Sequence, residues 1–80
     1  MTITAYVLIV TDPSNTNHVL DQLEGIPGIQ NVDEVMGPYD IVVKISADNM
    51  QDIPPVLSDR IRTIEGVEST TSLVTFPVDV

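Results

Sequence analysis

Residues 35–47 of the chain have the sequence VMGPYDIVVKISA, in which turn-forming residues lead directly into an apolar run. Gly37 can adopt a positive φ, Pro38 fixes φ at about −65°, and Asp40 can hydrogen-bond to nearby backbone, so together they predict a hairpin turn. The run that follows is apolar and mostly β-branched, whereas a strand with one solvated face would alternate apolar and polar residues. We therefore predict that residues 41–47 form a strand in the middle of a sheet.

Three other segments have the composition of strands, and one has the spacing of a helix. Residues 3–10, ITAYVLIV, are apolar and rich in β-branched side chains, which predicts a second central strand. Residues 29–36 mix polar and apolar positions, as an edge strand does, and residues 67–76 form a half-polar last strand. Residues 15–24 are predicted to form a short helix, because their apolar side chains fall on one face.

A second helix is predicted after residue 47, but its starting point is open. Asp48 is a suitable N-cap with Gln51 as its capping-box partner, yet Pro54 and Pro55 interrupt a helix that begins there. Either the helix kinks at the prolines, or it begins at Asp52 with both prolines in its first turn, where they are tolerated. The apolar positions recur at spacings of three and four residues: Met50, Ile53, Leu57, Ile61 and Ile64.

An internal repeat relates the two halves of the chain. Ile3–Val7 aligns with Ile41–Ile45, and Ile26–Ile29 aligns with Ile64–Val67 at the same offset of 38 residues. Two βαβ halves in the order βαββαβ predict a ferredoxin-like α+β fold of one domain, residues 1–80. Its antiparallel four-stranded sheet would carry both helices on one face, with strands 1 and 3 in the centre.

The first strand is apolar on both faces, which predicts that another chain covers the sheet. A bare apolar sheet face would be a large exposed patch, and monomers rarely show one. We therefore predict a homodimer or a larger assembly. One face would carry Ile3, Ala5, Val7 and Ile9, and the other would carry Tyr6, Leu8 and Val10.

Composition excludes several classes of function. The chain has 80 residues, a net charge of −9 and only three basic residues, too few to neutralise phosphates, so no direct nucleic-acid partner is expected. It has no cysteine, and therefore no disulfide framework or thiolate metal site. The N-terminal apolar run lacks a basic flank and is far shorter than the about 20 residues needed to cross a bilayer. We expect a cytoplasmic protein without a membrane partner.

The residues that catalysis would require are not in a recognisable pattern. The one histidine, His18, has no second ligand at metal spacing, and no Ser-His-Asp order or phosphate loop is present. An acylphosphatase of this fold would need an arginine after the first strand, and a metallochaperone would need a cysteine pair; residues 11–14, TDPS, provide neither. We therefore predict no catalytic residue, no metal site and no cofactor.

The assembled pattern resembles the effector-binding (RAM) domain of Lrp/AsnC transcriptional regulators. The matching pieces are Val35–Val43 at the hairpin, Ile61–Val67 before the last strand, and the threonine-rich segment Thr70–Val74. The likeness covers residues 3–76. The hairpin motif, Gly-x-x-Asp followed by an apolar run, is the most specific of the three.

The resemblance implies a fold, an assembly and a ligand. Two subunits would pair through their sheets, and dimers would assemble into an octamer-like ring. A free amino acid or similar small effector would bind between dimers, held by the hairpin and by polar residues of the last strand. The implied ligand-binding residues are Met36, Gly37, Pro38, Tyr39, Asp40, Thr70 and Ser72. The alternative is that Gly37 and Asp40 only form the turn.

Family regulators also carry an N-terminal helix-turn-helix, whereas this chain starts at the first strand of the sensor. The resemblance therefore implies a stand-alone, non-enzymatic sensor module of transcription regulation, with full-length Lrp/AsnC regulators as further partners. A competing function is a small dimeric α+β-barrel enzyme of the monooxygenase or isomerase type, which shares the topology. An ACT-like regulatory domain is a third possibility. The sequence does not specify the effector or the number of dimers.

Overall fold

The computed structural model describes residues 2–75, which contain a four-stranded antiparallel sheet. The four strands and the first helix are β1 (Ile3–Thr11), α1 (Thr16–Glu24), β2 (Ile29–Glu34), β3 (Ile41–Ala47) and β4 (Val67–Val74). The strand order is β2-β3-β1-β4, so the two strands predicted to be central, β1 and β3, are central. The predicted end of the last strand at Phe76 lies outside the described residues.

The connections around β1 and β2 differ from the prediction by one or two residues. A 3-10 turn, Pro13–Asn15, precedes α1, and the Asp12 side chain caps it by accepting a hydrogen bond from the Ser14 N–H. Strand β2 ends at Glu34, earlier than predicted, so the connection to β3 is a loop over residues 35–40. The Val35 N–H donates to the Asp40 carbonyl at 2.9 Å and closes this loop.

The second helical segment begins later than an Asp48 cap would require, so the predicted capping box is wrong. Its first turn is a 3-10 turn, Met50–Asp52, whose N-cap position is Asn49 without a side-chain hydrogen bond. An α-helical turn, Ile53–Pro55, labelled α2, follows with Asp52 at its N-cap position. Both prolines therefore lie in the first turn of α2, where the missing N–H groups have no intrahelical acceptor to lose.

A π-helix, Val56–Ile61, completes the second helical segment. The Arg62 N–H donates to the Leu57 carbonyl at 2.9 Å, five residues back instead of four. Along the predicted apolar stripe, Ile53 and Ile61 are buried, while Met50 at the start is 46% exposed. The stripe is therefore correct in its middle and wrong at its first residue.

The core lies between one face of the sheet and the helices. On β1, Ala5, Val7 and Ile9 are fully buried and alternate with half-buried residues, which fixes the face that α1 and the second helical segment cover. The buried apolar cluster comprises Ala5, Val7, Ile9, Val19, Leu23, Ile41, Val43, Ile45, Ile53 and Ile61. The predicted ferredoxin-like arrangement is confirmed.

Candidate functional site

The loop between β2 and β3 contains five of the seven predicted ligand-binding residues and projects into solvent. Met36 is 100% exposed, and Val35 beside it is also exposed. Gly37 has a φ of 149°, a conformation that favours glycine. Tyr39 is half-buried, so the exposed apolar residues lie at the tip of the loop and the residues next to β3 are partly shielded from solvent.

The side chain of Asp40 ties this loop to the end of β1. Its Oδ2 accepts a hydrogen bond from the Thr11 N–H at 2.8 Å and lies 3.4 Å from the Thr11 hydroxyl. The Asp40 N–H donates to the Ile9 carbonyl at 2.9 Å. Within residues 2–75, Oδ1 of Asp40 receives no hydrogen bond. Since an ionised carboxylate has about four acceptor positions, Asp40 can support the fold and still accept from a ligand.

The other two predicted residues lie on β4. Thr70 is opposite Ile9 in the β1–β4 register, and Ser72 is opposite Val7, so both are on the helix-covered side of the sheet. Thr70 is half-buried and Ser72 is exposed. The Thr70 hydroxyl accepts a hydrogen bond of 3.1 Å from Nε of Arg62.

One chain brings the loop residues together but does not bring them next to Thr70 and Ser72. The loop bonds to Ile9 from the β3 side, while Thr70 pairs with Ile9 from the β4 side, so strand β1 lies between them. Two strand spacings separate the backbones by about 10 Å. The family resemblance implies a site in which the loop and the strand come from different subunits.

The second face of the sheet is apolar along β1, as the sequence predicted, and polar on the edge strands, where Thr71 pairs with Leu8 and Asp33 pairs with Val42. We call the following residues the open sheet face: Tyr6, Leu8, Val10, Val42, Lys44 and Leu73. Leu8 pairs with Val42, and Tyr6 pairs with both Lys44 and Leu73, so these side chains are neighbours on one surface. Leu73 is 52% exposed. Whether a second chain covers this face stays a prediction.

Two surface clefts bear on the site, one beside α1 and one along β4. A polar groove of about 480 Å³ lies between α1 and the end of the π-helix and is lined by His18, Gln22 and Arg60 among others, but by none of the predicted site residues. A smaller cleft of about 280 Å³ runs along β4 and includes Thr70 and Arg62. Sequence reasoning missed Arg62, because an isolated basic residue has no spacing that would identify it.

Across residues 2–75, no group of three or more His, Cys, Asp or Glu side chains could hold a metal ion. In this part of the chain no helix has the length and apolar content needed to cross a membrane. The layer between sheet and helices, where a small barrel enzyme would need a cleft, is occupied by buried Val19, Leu23, Ile53 and Ile61.

Comparison with known proteins assigns the family. The family model described as the Lrp/AsnC ligand binding domain matches residues 4–77. This chain is an Lrp/AsnC ligand-binding domain. The match includes the loop over residues 35–40 and strand β4, so the Lrp/AsnC resemblance found in the sequence is confirmed.

The relatives of this Lrp/AsnC domain include transcriptional regulators. An uncharacterized HTH-type transcriptional regulator of Pyrococcus horikoshii is 36% identical over an alignment of 76 positions that covers 91% of this chain and 51% of the relative. The chain thus spans about half the length of that curated relative. The fit to the family supports a regulatory role.

Solved structures share the Lrp/AsnC fold. The crystal structure of TTHA0845 from Thermus thermophilus has a TM-score of 0.91 and 29% identity, and the match covers 98% of each chain. A transcriptional regulator of Neisseria meningitidis, solved as an L-Met complex, has a TM-score of 0.82 over 94% of this chain and 50% of its own. Its identity is 12%, so this likeness shows the fold alone.

Proposed function

We propose that this Lrp/AsnC domain senses a free amino acid and takes part in transcription regulation through oligomer assembly, without catalysing a reaction. The observation that carries the proposal is the family match to a ligand-binding domain over residues 4–77, which includes the exposed loop and β4. The Neisseria meningitidis protein of the same fold was solved with L-Met, so the fold accommodates a ligand of this size.

The proposed effector site consists of the loop of one subunit and β4 of another. The α-ammonium group would donate to Oδ1 of Asp40, which has no hydrogen bond within residues 2–75. The α-carboxylate would accept from hydroxyl groups of Thr70 and Ser72 and from backbone N–H groups. Gly37 allows the backbone to approach the ligand closely. The loop residues Met36, Pro38 and Tyr39 would contact the effector side chain.

The proposed assembly begins with two chains paired through the open sheet face. Pairing would remove Tyr6, Leu8, Val42 and Leu73 from water, and apolar burial is worth about 25 cal/mol per Å². Dimers would then associate so that the loop of one reaches β4 of the next. An octamer-like ring is the closed form that the family resemblance implies, and full-length Lrp/AsnC regulators would be further partners.

The test is a melting experiment on the intact chain with each of the twenty protein L-amino acids. A bound effector at 100 times its Kd stabilises the folded state by about 2.7 kcal/mol per site, which raises the melting temperature by several degrees. Native mass spectrometry on the same samples would show whether the assembly state changes. If no amino acid alters either quantity, the sensor function is refuted.

A matched variant separates binding from folding. Asp40→Asn keeps an oxygen that can accept from the Thr11 N–H, but it removes the charge that would attract an ammonium group. We expect this variant to lose the amino-acid response while its unfolding free energy stays within about 1 kcal/mol of the native value. His18→Ala, in the groove away from the loop, should respond as the native protein does.

A further inference from the structure

Arg62 is held in place at the end of the second helical segment, yet its charge is not used by the fold. Its Nε donates to the Thr70 hydroxyl at 3.1 Å. No carboxylate of residues 2–75 lies within 4.0 Å of its guanidinium nitrogens. Lys44 and Arg60 likewise have no ion pair within residues 2–75, so the hydrogen bond to Thr70 is what distinguishes Arg62. The terminal nitrogens of Arg62 make no hydrogen bond within these residues and can bind an anion.

Arg62 and Arg60 point to different sides of the second helical segment. The Arg62 N–H bonds to the Leu57 carbonyl, which closes the π-helical turn. Because a helix rotates by about 100° per residue, side chains two residues apart lie on nearly opposite sides. Arg62 reaches β4, whereas Arg60 lines the groove beside α1.

The cleft along β4 has a donor set suited to a carboxylate. It has a volume of about 280 Å³ and is lined by Arg62, Val67, Glu68, Ser69 and Thr70. A guanidinium can bind a carboxylate through two parallel hydrogen bonds. Since the Thr70 hydroxyl already accepts from Nε, its own hydrogen is available to donate. Glu68 lines the same cleft and opposes any carboxylate there, so the guanidinium and the hydroxyl must outweigh its charge.

We propose that Arg62, positioned by its hydrogen bond to Thr70, binds the α-carboxylate of the effector. The inference rests on the proposed amino-acid function and adds a residue to it.

The experiment compares Arg62→Met with Arg60→Met, two exposed arginines whose replacement changes the net charge equally. Isothermal titration calorimetry would measure the affinity of each variant for two ligands. They are the L-amino acid that gives the largest thermal shift and its primary carboxamide, in which the α-carboxylate is replaced by a neutral amide. Arg62→Met should weaken binding of the amino acid by about tenfold or more, the loss of a charge-assisted hydrogen bond. Binding of the carboxamide should change less than about twofold, and Arg60→Met should change neither.

The possible outcomes separate this inference from the proposed function. The inference is wrong, while amino-acid sensing stands, in either of two cases. In the first, Arg62→Met binds the amino acid with native affinity; in the second, it loses the same affinity for the amino acid as for the carboxamide. If the native chain binds none of the twenty amino acids, both are wrong. Should Arg62→Met not fold, Arg62→Lys keeps the charge without the planar fork and should show a smaller loss confined to the acid. An unchanged affinity in that variant overturns the inference.

Discussion

Replacing Asp40 by alanine should destabilise the fold, and the structure gives the size of the effect. The carboxylate is the acceptor for the Thr11 N–H at 2.8 Å, and Thr11 is only 2% exposed. Removal of the acceptor leaves a buried N–H without a partner, which costs about 1–3 kcal/mol, and bonds to charged groups lie at the upper end of that range. We therefore expect Asp40→Ala to lose about 2–3 kcal/mol of unfolding free energy.

The assay is urea unfolding followed by circular dichroism, with every variant at the same protein concentration because association adds to stability. The loss corresponds to a fall in melting temperature of about 4–8 °C per kcal/mol for a domain of this size. Asp21→Ala, on the exposed face of α1, is the control and should stay within about 0.5 kcal/mol of the native value. If Asp40→Ala were as stable as that control, the hydrogen bond to Thr11 would not support the fold.

Three further outcomes are expected. In thermal melts, Gly66→Ala should lower the melting temperature more than Gly37→Ala does. An added Cβ at Gly66 would lie 2.6 Å from Asn15 Cβ, whereas nothing lies within 4 Å of one at Gly37. Equal losses in the two variants would show that crowding at Gly66 does not matter. Leu8→Lys should give a monomer in sedimentation equilibrium where the native chain and Ser14→Lys are dimeric or larger, since an unpaired charge at a buried interface costs several kcal/mol. In gel shifts the chain should not bind duplex DNA at about 150 mM salt, and a shifted band would overturn the charge argument.

Much of the fold was predictable because it follows from hydrophobic pattern. Continuous apolar runs marked β1 and β3 as central strands, and the repeat offset of 38 residues fixed the βαββαβ order. Both signals are properties of many residues together, so an error at one position does not change them. The loop and the strand that carry the predicted ligand-binding residues could be located for the same reason.

The features of the second helical segment that the sequence did not predict each depend on a few individual hydrogen bonds. Asp48 has the chemistry of an N-cap, but the segment starts at a 3-10 turn, and the prolines shift the α-helical turn to Ile53–Pro55. The π-helix has no periodic signature, because it differs from an α-helix by one residue in one turn. The contact between Arg62 and Thr70 is one side-chain hydrogen bond and has no periodic signature, so it was not predictable either.

The two oxygens of Asp40 explain why folding, binding and assembly should be linked in this domain. Oδ2 holds the loop to Thr11, so the loop has a fixed position before any ligand arrives, and Oδ1 is available beside it. The backbones of this loop and of Thr70 in the same chain are two strand spacings, or about 10 Å, apart. On the proposed function, the effector is held by the loop of one subunit and by β4 of another. Its binding energy then contributes directly to the contact between dimers, which is how a small ligand can change an assembly.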